Sequence, residues 1–558
     1  MPHRPELTPP GRAGRALRLP GPLGRGIMAG MTVAHASRWI AAGVLVVLLG
    51  GIGFTWRFSD GWAGKPSFDA AEAVLREAGL PATFDEWAAT IEPVTPEENA
   101  AAPFLRAAGH LADEEGKPII AAFNDLHEYP PVSAYAAAEK IDLESLESHL
   151  AAEADRQAAE TAESLQELMA EHPQLKQDLQ ALAALGGSAA ADPNELPDAM
   201  KWAIIRAGVA AQAEAIAATE GTEAMRWPVQ ADYGVPWSDP GLLIEADLGY
   251  TVGQRALARL LAGAARQAAA EGRAREAIDL LHRMWSQAEA GAAGSHTYVE
   301  LMWQAGCEAI TLTTAADVLP ALPVEALREE EARQALEALS ERFADESMLA
   351  SVRRRGVAGE AIMQMQICRE IASATEGMRP KLGIGADINL EPAEDALFMA
   401  EVMTGYLAAL EAPDEASAKD RLPNMARAEM RMREGELQIA ARMLPSLDRF
   451  TETTFERLAE RRLVRVVVAT QLYRADHDGQ LPPSLEALVP EYLPAVPGDP
   501  TAKNAPIQYD PERAVAWTVG EDRDDDGGMT PEDVLEENPD ASSVVVRKST
   551  DRVVRLRE

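Results

Sequence analysis

From Trp39 to Trp56 the chain reads WIAAGVLVVLLGGIGFTW, eighteen residues without a charge. As a helix rising 1.5 Å per residue, that run is roughly 27 Å long, close to the hydrocarbon thickness of a bilayer. A tryptophan at each end suits the membrane–water interface, and Arg38 and Arg57 can reach outward from it. Upstream stand Arg4, Arg12, Arg15, Arg18, Arg25 and Arg38 against one acid, Glu6. This cationic excess predicts a cytoplasmic N-terminus, a single-pass span in the inner (cytoplasmic) membrane, and an extracytoplasmic remainder. GFTWRFSDGW offers no convincing small-x-small cleavage site and no lipoprotein cysteine, so the span is expected to stay as an anchor.

Beyond the anchor, apolar positions recur at helical spacing. FDAAEAVLREAGL reads as a helix. A second starts within IEPVTPEENAAAPFLRAAGHL, with Thr95 or Asn99 as its cap. A long charged helix is predicted over 142–185, with Leu143, Leu146 and Leu150 on one face. The clearest pattern is a helical hairpin. Leu257, Leu260, Leu261, Ala264 and Ala268 share one period, Gly272 breaks it, and Ala277, Ile278, Leu281 and Met284 resume it. Further helices are expected over 324–378, 391–411 and 424–444, with KLGIGADINLEP and EAPDEASAKDRLPN as loops between them. Met363, Met365, Met399 and Met403 read as core filler. One segment departs from the pattern: RWPVQADYGVPWSDPG concentrates aromatics, prolines and glycines, so Trp227, Tyr233 and Trp237 are expected to pin an ordered loop to the core or to line a pocket.

From Phe455 the organisation shifts. A helix, FERLAERRLVRVVVATQLYRADH, precedes strand-like PIQYD and AVAWTVG, an acidic loop, and a strand-like VVVRKSTDRVVRLRE. The expected fold is therefore mainly α. A basic, Pro/Gly-rich segment over 1–38, too poor in apolar residues to be expected to fold, precedes a transmembrane helix over 39–56. A helical extracytoplasmic body over 57–450 and a small α+β module over 451–558 complete the chain.

The acidic loop is the strongest candidate for a bound cofactor. In DRDDDGGMTPED, Asp522, Asp524, Asp526 and Asp533 occupy positions 1, 3, 5 and 12, with Gly527 at position 6. Alternate acids in a tight turn can converge oxygens on calcium, a hard cation that wants six to eight of them. An EF-hand needs an entering helix, whereas AVAWTVG reads as a strand. The C-terminal residues resemble instead the globular domain of type II secretion major pseudopilins. The resemblance rests on Tyr473, the Asp478-Gly479 turn, Pro482-Pro483, Leu485 with Leu488, Asp499-Pro500 and the EDRDDDGG loop, and covers about the last fifth of the chain. It implies a helix-plus-sheet domain stiffened by calcium, although the anchor lacks the prepilin-peptidase pattern that pseudopilins carry. The chain as a whole is similar to bacterial envelope proteins of unassigned activity that combine an anchor, an ENAAP-like segment, an RWP-containing helical body and this ending.

Charge narrows the partners. A net charge of −37 over 558 residues argues against nucleic acid, whose phosphates demand clustered cations, and disfavours docking on anionic lipid. A protein partner in the envelope is expected instead. Cys307 and Cys368, the only two cysteines, sit in apolar stretches and read as buried free thiols. His296 and Glu300 read as a surface pair, and His477 as a cation complementing the end of its helix. HExxH, GxSxG and P-loop patterns are absent from the sequence, so no catalytic residue is named. The leading expectation is a non-enzymatic, membrane-anchored structural or interaction protein. A hydrolase or other enzyme with a pocket near the Trp227–Trp237 loop is the alternative.

Overall fold

The computed structural model describes residues 67–91, 93–111, 126, 129–135, 198–225, 231–233, 249–373, 390–422, 437–444, 447–520, 522–530, 533–534 and 551–557. The predicted membrane span Trp39–Trp56, the predicted helix over 142–185, Trp227 and Trp237 lie outside these residues. Among the described residues, no helix is long and apolar enough to cross a membrane. Contacts divide the chain into two units, and every described residue belongs to the one formed by 33–146 and 192–558.

Mainly helical architecture is what the periodicity implies. The principal helices are α1 (Phe68–Glu77), α2 (Gly249–Ala270), α3 (Ala274–Ala293), α4 (Tyr298–Ala321), α5 (Glu330–Ala344), α6 (Ser347–Ala372), α7 (Pro392–Leu410), α8 (Glu415–Arg421) and α9 (Leu447–Asp476). The predicted hairpin is α2 and α3, turned at Gly272 with φ +74°, a conformation that glycine adopts without a Cβ clash. The helix predicted over 324–378 is three pieces. A four-residue turn from Val324 to Leu327 follows Pro323, and extended backbone at Glu329 and Asp345 bounds α5. EAPDEASAKDRLPN, expected as a loop, contains α8: Asp414 accepts Ser417 N–H at 2.8 Å as its cap, with Lys419 and Arg421 in the last turn. Of the predicted 424–444 helix, the described residues show Ala440–Met443 as helical.

α4 is the hub, packing against α2, α3, α6 and α9. It carries little amphipathic signal because it is covered on several sides, burying Glu300, Gln304, Glu308, Thr311 and Thr314 along with its apolar residues. Two of these neighbours bring arginines to those polar groups. From α2, Arg266 donates to Thr314 Oγ1 at 2.8 Å and to Asp317 at 2.6 Å. From α9, Arg461 meets Glu308 at 2.8 Å with side-chain exposures of 0% and 2%; it also donates to Asp345 O and lies over the Trp285 ring. Alongside, Arg342 of α5 joins Glu289, Ser286 and the His282 carbonyl of α3. α6 comes close enough to the start of α4 that a Cβ on Gly359 would fall 1.8 Å from the His296 carbonyl oxygen.

At the C-terminal end, β3 (Gln508–Asp510), β4 (Val515–Thr518) and β5 (Arg552–Arg555) form an antiparallel sheet in the order β3-β4-β5. The pair β1 (Gly498–Asp499) and β2 (Ala505–Pro506) lies ahead of them in the chain. PIQYD and AVAWTVG thus pair as predicted strands, with Gln508 opposite Trp517. Leu485–Leu488 is a 3₁₀ turn with both leucines buried. α9 packs on β4 as well as on the body, and Gln471 donates to the Leu556 carbonyl at 3.0 Å. The predicted boundary between 450 and 451 falls inside α9.

Arg461→Met alone should destabilise the protein by about 3–5 kcal/mol in denaturant unfolding, because it removes the guanidinium that hydrogen-bonds the buried Glu308. Adding Glu308→Leu should return most of that loss, and a double variant as unstable as the single one would refute the account.

Candidate functional site

The described residues line a cavity where α2, α3 and the start of α4 meet the segment 231–233. Its geometry begins with the cap of α4. Thr297 Oγ1 accepts the Glu300 N–H, and Glu300 Oε2 reaches back to accept the N–H groups of Thr297 and His296 at 3.0 and 2.8 Å. This is a capping box, which satisfies donors that a helix start otherwise leaves open. The other carboxylate oxygen, Oε1, accepts the Tyr250 hydroxyl at 2.6 Å. Tyr250 in turn stacks on Tyr233, with ring centroids 4.7 Å apart and planes inclined by 18°.

Burial pushes the Glu300 carboxyl up to about 7, against the pull of these hydrogen bonds. On α6, burial raises Glu360 to about 7 as well, while Gln364 and the Tyr298 N–H hold it back. Burial, and then the charge of Arg355, depresses His296 to about 3, so this ring stays neutral at ordinary pH. His296 and Glu300 were expected as a surface pair. Both are buried, and the contact between them runs from the His296 backbone N–H, because the capping box draws the carboxylate inward.

Two glutamines form a second wall of the cavity. Gln287 Nε2 donates to the Gln254 backbone carbonyl at 2.7 Å and to Gln254 Oε1 at 2.9 Å. The carbonyl can only accept, so it fixes which way both amides face. That leaves Gln287 Oε1 and Gln254 Nε2 buried without partners, and the Tyr233 hydroxyl is in the same condition. The empty space of the cavity, its mouth included, is about 360 Å³. Cys307 borders it, and burial raises this thiol to about 12. Both cysteines are buried free thiols, as expected.

Tyr233 therefore does both jobs anticipated for its loop. The helix Ala101–Gly109 has Ala100 at its cap and neither Thr95 nor Asn99; Asn99 accepts the Ala101 N–H and instead clamps the loop, accepting the Asp232 N–H at 2.9 Å and donating to its carbonyl at 2.7 Å.

The acidic loop is organised differently from an even ring of carboxylates. Asp522 Oδ1 accepts the Asp524 N–H at 3.2 Å, and both residues are exposed. Asp533 turns to Thr530: its Oδ2 accepts the Thr530 N–H at 2.8 Å while Thr530 Oγ1 accepts the Asp533 N–H at 3.2 Å. Asp525, outside the predicted set, holds the turn by accepting Trp517 Nε1–H and the Gly527 N–H, each at 3.0 Å. Arg523 ties the loop to Glu415 of α8 and Glu456 of α9. Asp526 Oδ2 is buried without a partner, and burial followed by the charges of Asp522, Asp524 and Asp525 raises its carboxyl. Asp551 joins it unannounced by the spacing. It is 3% exposed, accepts the Gly528 N–H at 2.8 Å through Oδ2, leaves Oδ1 unpartnered, and is lifted to about 6, mainly by burial. Among the described residues, no three or more His, Cys, Asp or Glu side chains are grouped so as to hold a metal ion.

Sequence reasoning missed Gln254, Gln287 and Asp551, for which no motif speaks. Glu300 had a readable signal in the Thr297-x-x-Glu300 capping pattern. No family model, no curated protein and no solved structure matches the chain.

The raised carboxyl gives stability a pH slope of defined sign. A folded-state value of about 7 against an ordinary 4.5 means that the folded protein holds this proton more tightly. The contribution is full below about pH 4.5 and is lost as pH rises through about 7. Relative to Glu300→Gln, which keeps a carbonyl acceptor, the wild type should lose roughly 3 kcal/mol at most between pH 4.5 and 8 in denaturant titrations. Parallel pH profiles would show that Glu300 ionises normally.

Proposed function

We propose that this chain is a membrane-anchored, extracytoplasmic structural or interaction protein of the bacterial cell envelope, held by Trp39–Trp56 and presenting its helical body to a protein partner. One observation carries the reading: the C-terminal helix and sheet are locked into the body through charges. Arg461–Glu308 is fully buried, Arg462 pairs with Glu346, and Arg523 bridges Glu415 and Glu456. Such ties suit a protein that bears a contact rigidly. The acidic loop belongs to the same proposal as a calcium site. Its donors are carboxylate oxygens, the chemistry calcium prefers, and Asp526 and Asp551 each bring a buried oxygen without a partner. Asp526 and Asp551 would hold the ion with Asp522 and Asp524, and Asp533 would enter once released from Thr530. Calcium would supply charge neutralisation there and would fasten the loop to β4 and β5.

A second reading, an enzyme with its pocket beside the 227–237 loop, is favoured by the cavity that Tyr233 and the near-neutral Glu300 share.

The anchor is tested on the full chain in membranes. It should stay with the membrane through an alkaline carbonate wash, and its C-terminal epitope should be protease-accessible in spheroplasts without lysis. Release by the wash, or protection of the epitope until lysis, would remove the localisation. For calcium, the melting temperature of the purified full chain should rise by a few °C between chelator and about 1 mM calcium, since an ion that binds the folded form selectively stabilises it. Asp551→Asn should flatten that response, and a wild-type curve indifferent to calcium would end the metal claim.

A further inference from the structure

We propose that the outer face of the α2–α4 pair is a docking groove for a segment of a partner protein in which one apolar side chain is flanked by carboxylates. The two helices run side by side in the same direction: Tyr250 meets Glu300, Arg255 lies over the Trp303 ring at 5.7 Å, and Arg266 reaches Thr314 and Asp317. Among the described residues, two large apolar side chains are exposed, Val252 at 40% and Met302 at 36%, and this register puts them at the same level on neighbouring helices. Apolar side chains scattered singly over a surface need no explanation, whereas a cluster marks a contact. Gly306 stands one turn beyond Met302 and Trp303 on α4; it is half-exposed, and a Cβ built there would meet nothing within 4 Å. The face therefore dips at Gly306, between Met302 with Trp303 at one end and half-exposed Ile310 at the other.

Charge selects the partner. The chain holds 89 acidic against 52 basic residues, yet α2 contains no Asp or Glu and carries Arg255, Arg259 and Arg266. Arg266 turns to α4, while Arg255 is exposed and meets no carboxylate among the described residues, and Arg259 is half-exposed. The charges of Arg255 and Arg259 both act on the Cys307 thiol, one turn beyond Trp303, which places them along the groove. On α4, Glu300 and Glu308 are buried and Asp317 is engaged by Arg266. Apolar contact and positive charge are thus combined, and a segment bearing Asp or Glu beside a side chain such as Leu complements both. An anionic membrane surface would supply the charge without a side chain to fill the dip, and the net charge of −37 opposes its approach. A second copy of so acidic a chain is repelled in the same way.

The inference rests on the reading of the helical body as a surface for a protein partner, and gives that partner its chemistry. Anchorage and docking fail separately: a chain released by the alkaline wash can still dock the segment, and an anchored chain can refuse it.

The test uses the full chain in nanodiscs of zwitterionic lipid and an acetylated, amidated pentapeptide with photo-leucine at its centre and aspartate on both sides, the labelled sites being read by mass spectrometry. Label should concentrate on 252–259 and 302–310, and should fall several-fold between about 50 and 500 mM salt as exposed charges are screened. Arg255→Glu should cut it several-fold. Gly306→Leu should do the same without lowering the melting temperature, because it fills the dip and replaces a poor helix former by a good one. The peptide with lysine in place of aspartate should leave these residues unlabelled. Label elsewhere, or label indifferent to Gly306→Leu or to the lysine exchange, would overturn the proposal. Labelling that weakens as the protein concentration rises would make the occupant a second copy, competition by phosphatidylserine vesicles would make the face a lipid surface, and absence of label would leave it bare; each refutes the assignment.

Discussion

A helix rich in polar side chains can be surrounded by other helices only if each of those side chains finds a partner before water is excluded. α4 is such a helix, and the rest of the described structure is arranged around that requirement. Arg266 meets its Thr314 and Asp317, Arg461 meets its Glu308, and Tyr250 with two backbone amides meets its Glu300. Arginine serves here because its planar, multi-donor head can reach a carboxylate and a carbonyl at once, as Arg461 does with Glu308 and the Asp345 carbonyl. Buried pairs of this kind contribute little net stability against an apolar core. They do penalise every arrangement in which the helices are shuffled and a charge loses its partner.

The same accounting explains where the cavity lies. At the start of α4, the demand for acceptors is met by Glu300 on one side and Glu360 on the other. Between α2 and α3, however, two glutamines satisfy each other on one edge only and face a tyrosine whose hydroxyl has no protein partner. Among the described residues, this half-matched pair borders the cavity.

How much of this could be read from the residues varied with the kind of signal. The α2–α3 hairpin was legible because its two apolar stripes are separated by a helix breaker, and α7 because its run is apolar throughout and opens on a proline. α4, the most connected of these helices, was overlooked for the opposite reason: buried on several faces, it has no stripe, and only Thr297 with Glu300 marks its beginning. α8 was taken for a loop because its run of small and charged residues lacks apolar period, yet Asp414 is a strong cap. In the acidic loop, the alternating aspartates are present, but spacing cannot foresee that Asp533 prefers Thr530 or that Asp551 arrives from the residue just ahead of β5, well beyond the loop. The glutamine pair was illegible altogether, since its chemistry exists only after two helices have been laid side by side.

The crossing of α6 over the start of α4 carries a further implication. With the His296 oxygen filling the space where a methyl group would begin at position 359, α6 is keyed to one rotational setting, as a toothed shaft is keyed to its collar. That setting delivers the next residue, Glu360, to the Tyr298 amide. A position without a side chain thereby dictates where a buried acid comes to rest, and the electrostatic character of the interior is decided by the missing atom as much as by the charged ones.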